Sequence, residues 1–291
     1  MSYSKKEIER IFYSIDNLPT LPVIAVQLLE LIEKEASMKK ISHIINNDPA
    51  IAAKILKIAN SAYFGARCKV DTVERALVIL GINEVSNIVL GLSFLTAFPW
   101  KQIDDRFNVV KFWEHSIFVA QTAKLMAKYI SMETHGEEYT AGLLHDIGKL
   151  ILSYYFQNDF VKILDLVFKS DYSTLEAEEK VIGYDHSFLG YLLTKKWNLP
   201  LKITKSIKLH HEPEEFKDNK LPAIIYLSDY LAHKLGVFPT EKKLLYITYD
   251  EIREITEQVF PKFNLEKFES ILEQEFTKIK EITSTFLDTS L

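Results

Sequence analysis

The sequence has few of the residues that build disulfides, turns or sheets. Of its 291 residues, 1 is cysteine, 9 are glycine and 9 are proline. The single cysteine, Cys68, excludes a disulfide within the chain and is typical of a protein from the reducing cytoplasm. So few turn-forming residues favour long helices, and no segment alternates apolar and polar residues with β-branched enrichment. These absences predict a fold without a β-sheet.

The chain also lacks a long apolar run and an excess of basic residues. Charged residues such as Asp159, Lys162 and Asp165 interrupt its apolar stretches, so no membrane-spanning segment is predicted. The N-terminus is polar and has no apolar signal-peptide core. The net charge of -5 at pH 7 gives no extended basic surface for nucleic acid. We therefore expect a cytoplasmic protein that binds neither membranes nor nucleic acids.

Apolar residues recur at helical spacing along most of the chain, which predicts an all-α fold. Asp48 and Asp185 are predicted N-caps, and either Asp71 or Thr72 caps the following helix. Helices are predicted at 4–15, 23–36, from Ser42, 49–60, 73–80, 83–98, 109–132, around His145 and Asp146, 157–169, 174–182, 186–197, 200–210, 221–235 and within 246–288.

An adjacent histidine and aspartate, His145 and Asp146, lie in the otherwise apolar segment 141–151. A buried charge is costly unless it is paired or bound to a metal, and both side chains are ligands for divalent metals. On a helix, Lys149 would share their face and could contact a phosphate that the metal also binds. The alternative is a hydrogen-bonded core histidine beside a capping aspartate.

Other histidines and aspartates in the second half each have a simpler interpretation when taken alone. His186 could begin a helix, and Asp229 could pair with Lys234 or cap a helix. His210 and His211 could form an exposed helix end.

The order of these residues, distributed over successive helices, favours a shared site. Five imidazoles and two carboxylates suffice for a binuclear metal site with open positions, so we predict that they converge on one cavity. The remaining histidines, His43, His135 and His233, are predicted to face solvent. The predicted ligands are His115, His145, Asp146, His186, His210, His211 and Asp229.

Further motifs occur in both halves of the chain. The first half contains Leu18-Pro19-Thr20-Leu21-Pro22, Asp48-Pro49 and the segments 60–65 and 76–81. The second half contains the segments 112–116, 141–149, 197–200 and 210–213, and Asp185-His186 with Gly190. With these motifs in this order, residues 18 to 235 resemble the HDOD family, the HD-related output domains of bacterial signalling within the HD phosphohydrolase superfamily.

The resemblance implies two packed helical sub-bundles, of which the second is HD-like. The implied organisation is an N-terminal helix in 1–17, a domain at 18–235, and C-terminal helices in 236–291 that pack on it. Within the domain, the polar segment 99–108 links a first sub-bundle at 18–98 to the HD-like sub-bundle at 109–235. The residues just before this linker and at its start are too apolar to be exposed, so we predict that the two sub-bundles share an apolar interface there. These residues are Phe94, Leu95, Phe98 and Trp100.

The resemblance also implies a role in signal output through contact with a protein partner, in a family generally thought to lack the hydrolysis typical of HD enzymes. In related cyclic-dinucleotide phosphodiesterases a Gly-Tyr-Pro segment follows the His-His-Glu motif, whereas here Pro213 follows Glu212. Lys111 occupies a position where some of those enzymes have glutamate. We therefore expect no hydrolysis of cyclic-di-GMP.

The metal ligands remain complete in spite of these departures. The resemblance implies one or two divalent transition metal ions, such as Fe, Mn, Ni or Zn, and no organic cofactor. The alternative function is a metal-dependent phosphohydrolase of a nucleotide or another phosphate ester, in which Asp146 and Lys149 would serve catalysis. In the first half, Asn60, Ser61 and Arg67 could line a partner groove or, more simply, cap helices.

Overall fold

A computed structural model describes residues 3–65, 69–170, 172–240 and 248–290. Within these ranges the chain forms helices and no β-sheet, which confirms the predicted all-α fold. No helix of the described part is both long and apolar enough to cross a membrane. Arg67 and Cys68 lie outside the described residues.

Six helices form the first half of the chain. They are α1 (Lys5–Tyr13), α2 (Val23–Glu33), α3 (Met38–Asn46), α4 (Pro49–Ala59), α5 (Val73–Leu80) and α6 (Ile82–Ala97). Three of them, α1, α4 and α5, begin with a side-chain N-cap. Asp48 caps α4 by accepting a hydrogen bond from the Ile51 amide, as predicted. Of the two predicted alternatives, Thr72 caps α5.

The prediction that α3 begins near Ser42 is wrong. The helix begins at Met38, after Ser37. Ser42 is buried in the helix, and its hydroxyl donates a hydrogen bond to the Glu74 carboxylate on α5. A serine that satisfies its hydroxyl through a tertiary contact resembles an N-cap in sequence alone.

Eight helices follow in the second half of the chain, which is the half that the resemblance implies to be HD-like and is called the HD-like half below. They are α7 (Val109–Tyr129), α8 (Glu137–Leu144), α9 (Ile147–Tyr155), α10 (Gln157–Lys169), α11 (Thr174–Ile182), α12 (His186–Lys196), α13 (Leu201–Leu209) and α14 (Lys220–Lys234). Asp185 caps α12 as predicted, by accepting a hydrogen bond from the Phe188 amide.

The single helix predicted around His145 and Asp146 is instead two helices, α8 and α9, that meet at this pair. Asp146 has φ -95° and ψ 5°, outside the helical range. The two helices approach different neighbours closely. A Cβ on Gly142 would lie 2.8 Å from Ala120 Cα of α7, and one on Gly148 would lie 1.9 Å from the His186 carbonyl oxygen of α12. These two close crossings, one on each side of the ligand pair, hold α8 and α9 against different helices where the break occurs.

Two helices, α15 (Tyr249–Val259) and α16 (Leu265–Ser290), follow the HD-like half. The long helix α16 packs along α7 and also reaches α4 and α6. Phe276 packs edge-on against Phe118 of α7, and Phe286 lies over Gly91 of α6. This helix therefore joins the two halves from one side.

An aromatic cluster joins the halves directly. Trp197, which follows α12, stacks on Phe94 of α6 with ring centroids 5.8 Å apart, and its other neighbour is Phe98. The indole nitrogen donates a hydrogen bond of 2.7 Å to the Pro19 carbonyl. Phe94, Leu95 and Phe98 are buried, and Trp100 is half-buried.

Replacing Trp197 by alanine is expected to lower the free energy of unfolding by about 3–5 kcal/mol, because a large buried aromatic side chain and its hydrogen bond are lost. Urea unfolding followed by circular dichroism would measure this loss. Val23→Ala is the control, since Val23 is 71% exposed and its truncation should change stability by less than about 0.5 kcal/mol. Two well-separated transitions in the wild-type protein would contradict the shared interface.

Candidate metal centre

The seven predicted ligands converge on one cluster in the HD-like half. His115 lies on α7, and His145 and Asp146 lie where α8 meets α9. His186 is the first residue of α12. The other three ligands come from the end of α13 and from α14, and they are His210, His211 and Asp229.

One group of ligands lies on the α7 side of the cluster. His115 Nε2 is 3.1 Å from Asp229 Oδ1, 3.4 Å from His145 Nε2 and 3.8 Å from Asp146 Oδ2. His145 Nε2 is in turn 3.5 Å from Asp146 Oδ2. Three imidazole or carboxylate donors within one ion's reach make this a candidate metal position, formed by His115, His145 and Asp146, with Asp229 adjacent.

A second group lies on the α12 and α13 side. His186 Nε2 is 2.9 Å from Asp146 Oδ1 and 3.1 Å from His211 Nε2. His210 Nε2 is 3.9 Å from the same carboxylate oxygen. The donor atoms of these four residues all lie within 4.8 Å of one another. His210 is fully buried, so the alternative of an exposed helix end is wrong for this residue.

Backbone carbonyls orient the imidazole rings. His115 Nδ1 donates to the Val237 carbonyl at 2.9 Å, His145 Nδ1 to Gly142 at 2.8 Å, and His210 Nδ1 to Ile207 at 2.7 Å. Because a carbonyl only accepts hydrogen bonds, each Nδ1 carries the proton. The Nε2 atom of each ring is then directed into the cluster, which is how metal-binding histidines are usually held.

His186 is held by a carboxylate instead. Glu178 of α11 is fully buried and accepts hydrogen bonds from the His186 backbone amide at 2.8 Å and from Nδ1 at 2.7 Å. Burial opposes a charge on the ring, but the carboxylates of Glu178 and Asp146 together outweigh it and raise the pKa of His186 to about 10. Glu178 had no predicted role, and the only sequence signal was a glutamate on the otherwise apolar face of Ala177 and Ile182.

The donor set fits a divalent transition metal. The lone pairs on His115 Nε2 and His145 Nε2 face each other at 3.4 Å, an arrangement that a cation between them stabilises. Ligands at about 2.1 Å from an ion are separated by about 3.0–3.4 Å. His210 Nε2 is buried and has no hydrogen-bond partner among the described residues. Imidazole and carboxylate donors together suit Fe, Mn, Ni or Zn.

Lys149 lies in the first turn of α9, with its Nζ 2.5 Å from Asp146 Oδ2. Burial would raise the pKa of Asp146, but its electrostatic interactions with His145, Lys149 and His186 hold it well below its usual range. The lysine side chain is 16% exposed and faces a cavity. It can therefore bond to Asp146 and to a ligand in that cavity at once, because an ammonium has three donors.

The prediction that His233 faces solvent is wrong. It lies one helical turn after Asp229 on α14, with Nε2 3.5 Å from Asp229 Oδ1, and its ring stacks on Phe238. Burial lowers the pKa of His233 to about 4. With His115 and Asp229 it forms a third group of candidate ligands. The spacing of four residues from Asp229 was the available sequence signal.

The structure also tests the predictions for the other two histidines and for the alternative partner of Asp229. His43 and His135 are exposed, as predicted. Lys234, the alternative partner of Asp229, instead pairs with Glu269 at 2.7 Å. Asp229 is therefore left to the histidine cluster.

A cavity of about 220 Å³ adjoins the cluster. One side presents Lys149, His186, His211 and Asp229. Another side is an apolar wall formed mainly by α10. Its lining residues there are Phe160, Ile163, Leu164 and Val167. A metal site that adjoins a cavity has room for a ligand, whereas purely structural sites are closed.

Comparison with known proteins gives a family match over most of the chain. The model of the HDOD domain matches residues 18–213. An uncharacterized protein from Treponema pallidum is 23% identical over 209 residues, which cover 70% of this chain and 40% of that protein. The chain spans less than half the length of the curated relatives that it matches.

Two solved structures share the fold over nearly their whole length. An HDOD domain protein of unknown function from Geobacter sulfurreducens has a TM-score of 0.82 at 21% identity, with 96% of this chain and 97% of that chain covered. A proposed phosphohydrolase from Shewanella amazonensis has a TM-score of 0.76 at 23% identity, with 95% and 97% covered. At these identities the likeness concerns the fold alone.

Proposed function

The chain belongs to the HDOD family, and from this premise we propose that it is a signalling protein whose HD-like half is a metal-dependent phosphohydrolase. The observation that carries the proposal is the orientation of the cluster. Three imidazoles have Nδ1 fixed by a carbonyl and direct Nε2 at a shared carboxylate, Asp146, beside a cavity. A merely structural histidine cluster needs neither the common orientation nor the cavity.

The residues divide into two ligand groups that share Asp146. His115, His145 and Asp229 would hold one ion, and the other group consists of His186, His210 and His211. A pair of divalent ions held there would supply the Lewis acidity that hydrolysis of a phosphate ester requires.

The chain's own residues would bind and orient the ester. Lys149 faces the cavity with an ammonium 2.5 Å from Asp146 and would offset charge on a phosphate oxygen. Glu178 holds His186 in position through two hydrogen bonds. The apolar wall of α10 would exclude bulk water from around the ester, apart from the water molecule that hydrolyses it, and this strengthens these electrostatic interactions.

Cyclic-di-GMP is not the expected substrate. In the related cyclic-dinucleotide phosphodiesterases a Gly-Tyr-Pro segment follows the His-His-Glu motif, whereas in this chain Pro213 follows Glu212. Lys111 also stands where some of those enzymes have a glutamate. Positioning of the reacting groups is worth several kcal/mol of barrier, so a metal pair without it would be slower by orders of magnitude.

Turnover assays test both statements. Wild-type protein supplied with manganese or iron should hydrolyse at least one simple phosphate ester or nucleotide, and should show little or no hydrolysis of cyclic-di-GMP. Asp146→Ala should be inactive on all of them. Equal activity in both proteins would indicate a contaminant, and metal-dependent hydrolysis of cyclic-di-GMP by wild type alone would contradict the substrate prediction.

The second candidate is a non-catalytic module that signals through contact with a protein partner. It is favoured by the absence of any first-half residue from the described metal cluster, since residues 18–98 must then serve another purpose. If the wild-type protein binds metal but hydrolyses none of the esters, and Asp146→Ala is equally inactive, this candidate is favoured over the first.

A further inference from the structure

We propose that the cavity beside the metal cluster binds the phosphate monoester of a small apolar group, such as a phenyl or branched alkyl ester. This inference rests on the proposed function and specifies its substrate class. It comes from the juxtaposition of one cation and a ligand cluster with an apolar wall in a small cavity.

The charged side of the cavity suits a single phosphate. Lys149 is the only lysine or arginine among the described residues that line it. Proteins usually bind each phosphate through several cationic groups. The ammonium of Lys149 and the metal cluster together supply enough positive charge for one phosphoryl group and not for two. A second phosphate on the substrate would meet the apolar wall without a counter-charge, which is costly.

The apolar side is a continuous face of α10. Phe160, Ile163, Leu164 and Val167 follow at intervals of three and four residues, and each is nearly completely buried. Phe107 extends the wall by packing edge-on against Phe160, with ring centroids 5.2 Å apart. None of these side chains offers a hydrogen-bonding group to a sugar or a base.

The lining residues that carry hydroxyl groups lie outside this wall, and they are Ser173, Thr174, Tyr226, Tyr230 and Thr240. Ser173, at the start of α11, already donates its hydroxyl hydrogen to Glu176 at 2.7 Å. A nucleoside placed against α10 would leave the hydroxyls and base atoms that face this wall unpaired, and each buried unpaired group disfavours binding. The wall therefore selects against nucleotides.

The size of the cavity agrees with a compact ligand. Its volume is about 220 Å³. A cavity of about 150 Å³ in another protein holds benzene, so one aromatic ring and a phosphate are of the right size here. Sites for larger ligands commonly measure about 300–1,000 Å³.

Calorimetric binding of two non-hydrolysable probes tests the inference. The full chain, loaded with manganese, is titrated with methylphosphonate and with phenylphosphonate. Phenylphosphonate should bind about 30-fold more tightly, because its ring buries apolar surface against α10. Equal affinities, or no binding of either probe, would overturn the inference.

Two variants locate the preference on the wall. Leu164→Asn should reduce the ratio of the two affinities to less than about 3-fold, whereas Val161→Asn, on the same helix but outside the lining, should leave it unchanged. A ratio that survives Leu164→Asn in a folded protein would also overturn the inference. If Leu164→Asn does not fold, the ratio of the two affinities in the wild-type protein still tests the inference.

Binding and turnover separate this inference from the proposed function. Tight binding of phenylphosphonate without hydrolysis of phenyl phosphate or any other ester would support the ligand class and contradict the hydrolase. Hydrolysis of esters with no preference for apolar ones would support the hydrolase and contradict the ligand class.

Discussion

Replacing Asp146 by alanine is expected to abolish metal binding at both positions of the proposed centre. Its Oδ1 lies 2.9 Å from His186 Nε2 and 3.9 Å from His210 Nε2, while Oδ2 faces His115 and His145. The one carboxylate therefore belongs to both ligand groups. Loss of a ligand shared by two ions should weaken each by more than about 100-fold, since even the partners behind a ligand contribute 10–100-fold.

Elemental analysis of protein purified without chelator would measure this loss. Wild type should retain two equivalents and Asp146→Ala none. His211→Ala should lose one, because His211 contacts only the second group. His135→Ala is the matched control, since His135 is exposed and outside the cluster, and it should retain both. Two equivalents in a correctly folded Asp146→Ala protein would show that the ions bind elsewhere.

The local features of the fold were predictable from sequence because their causes are local. The predicted helices at 157–169 and 174–182 agree with α10 and α11. The caps at Asp48 and Asp185 use a side chain three residues from the amide that it binds. Such contacts form within one turn, so a window of a few residues contains all the information they need.

The missed features depend on contacts between distant segments. The break at Asp146 follows from the close approach of α8 to α7 and of α9 to α12. His233 turns inward because α14 packs with its Asp229 face toward His115. Glu178 acquires its role only when α11 brings it to the start of α12. Helical periodicity indicates which residues share a face and does not indicate what that face meets.

The residues of the candidate site were easier to predict from the sequence than their geometry. The convergence of the seven candidate ligands was predicted from their order and apolar settings, and the structure brings them together. The division into two groups that share Asp146 could not be predicted, because it depends on which oxygen of the carboxylate faces which histidine. The orientation of each ring is set by carbonyls, such as that of Val237, that are remote in sequence.

Gly148→Ala tests whether the close crossing of α9 and α12 positions the ligands. In a helix interior this change normally stabilises by about 1 kcal/mol, through helix propensity. Here the new Cβ would lie 1.9 Å from the His186 carbonyl oxygen and 2.9 Å from the Gly190 amide nitrogen. These are backbone atoms that cannot rotate away, so the helices must separate. We expect a loss of about 3 kcal/mol or more in the free energy of unfolding.

Gly190→Ala on the facing helix is the matched control. Its Cβ would meet side-chain atoms first, Ile207 Cγ2 at 3.0 Å and Ile147 Cγ2 at 3.3 Å, which can shift by a few tenths of an ångström. The loss should therefore stay below about 1.5 kcal/mol. Because separation of the helices also moves His186 from Asp146, folded Gly148→Ala should lose the metal of the second group and keep the first. Equal stability and equal metal content in the two variants would contradict the crossing as the element that positions the centre.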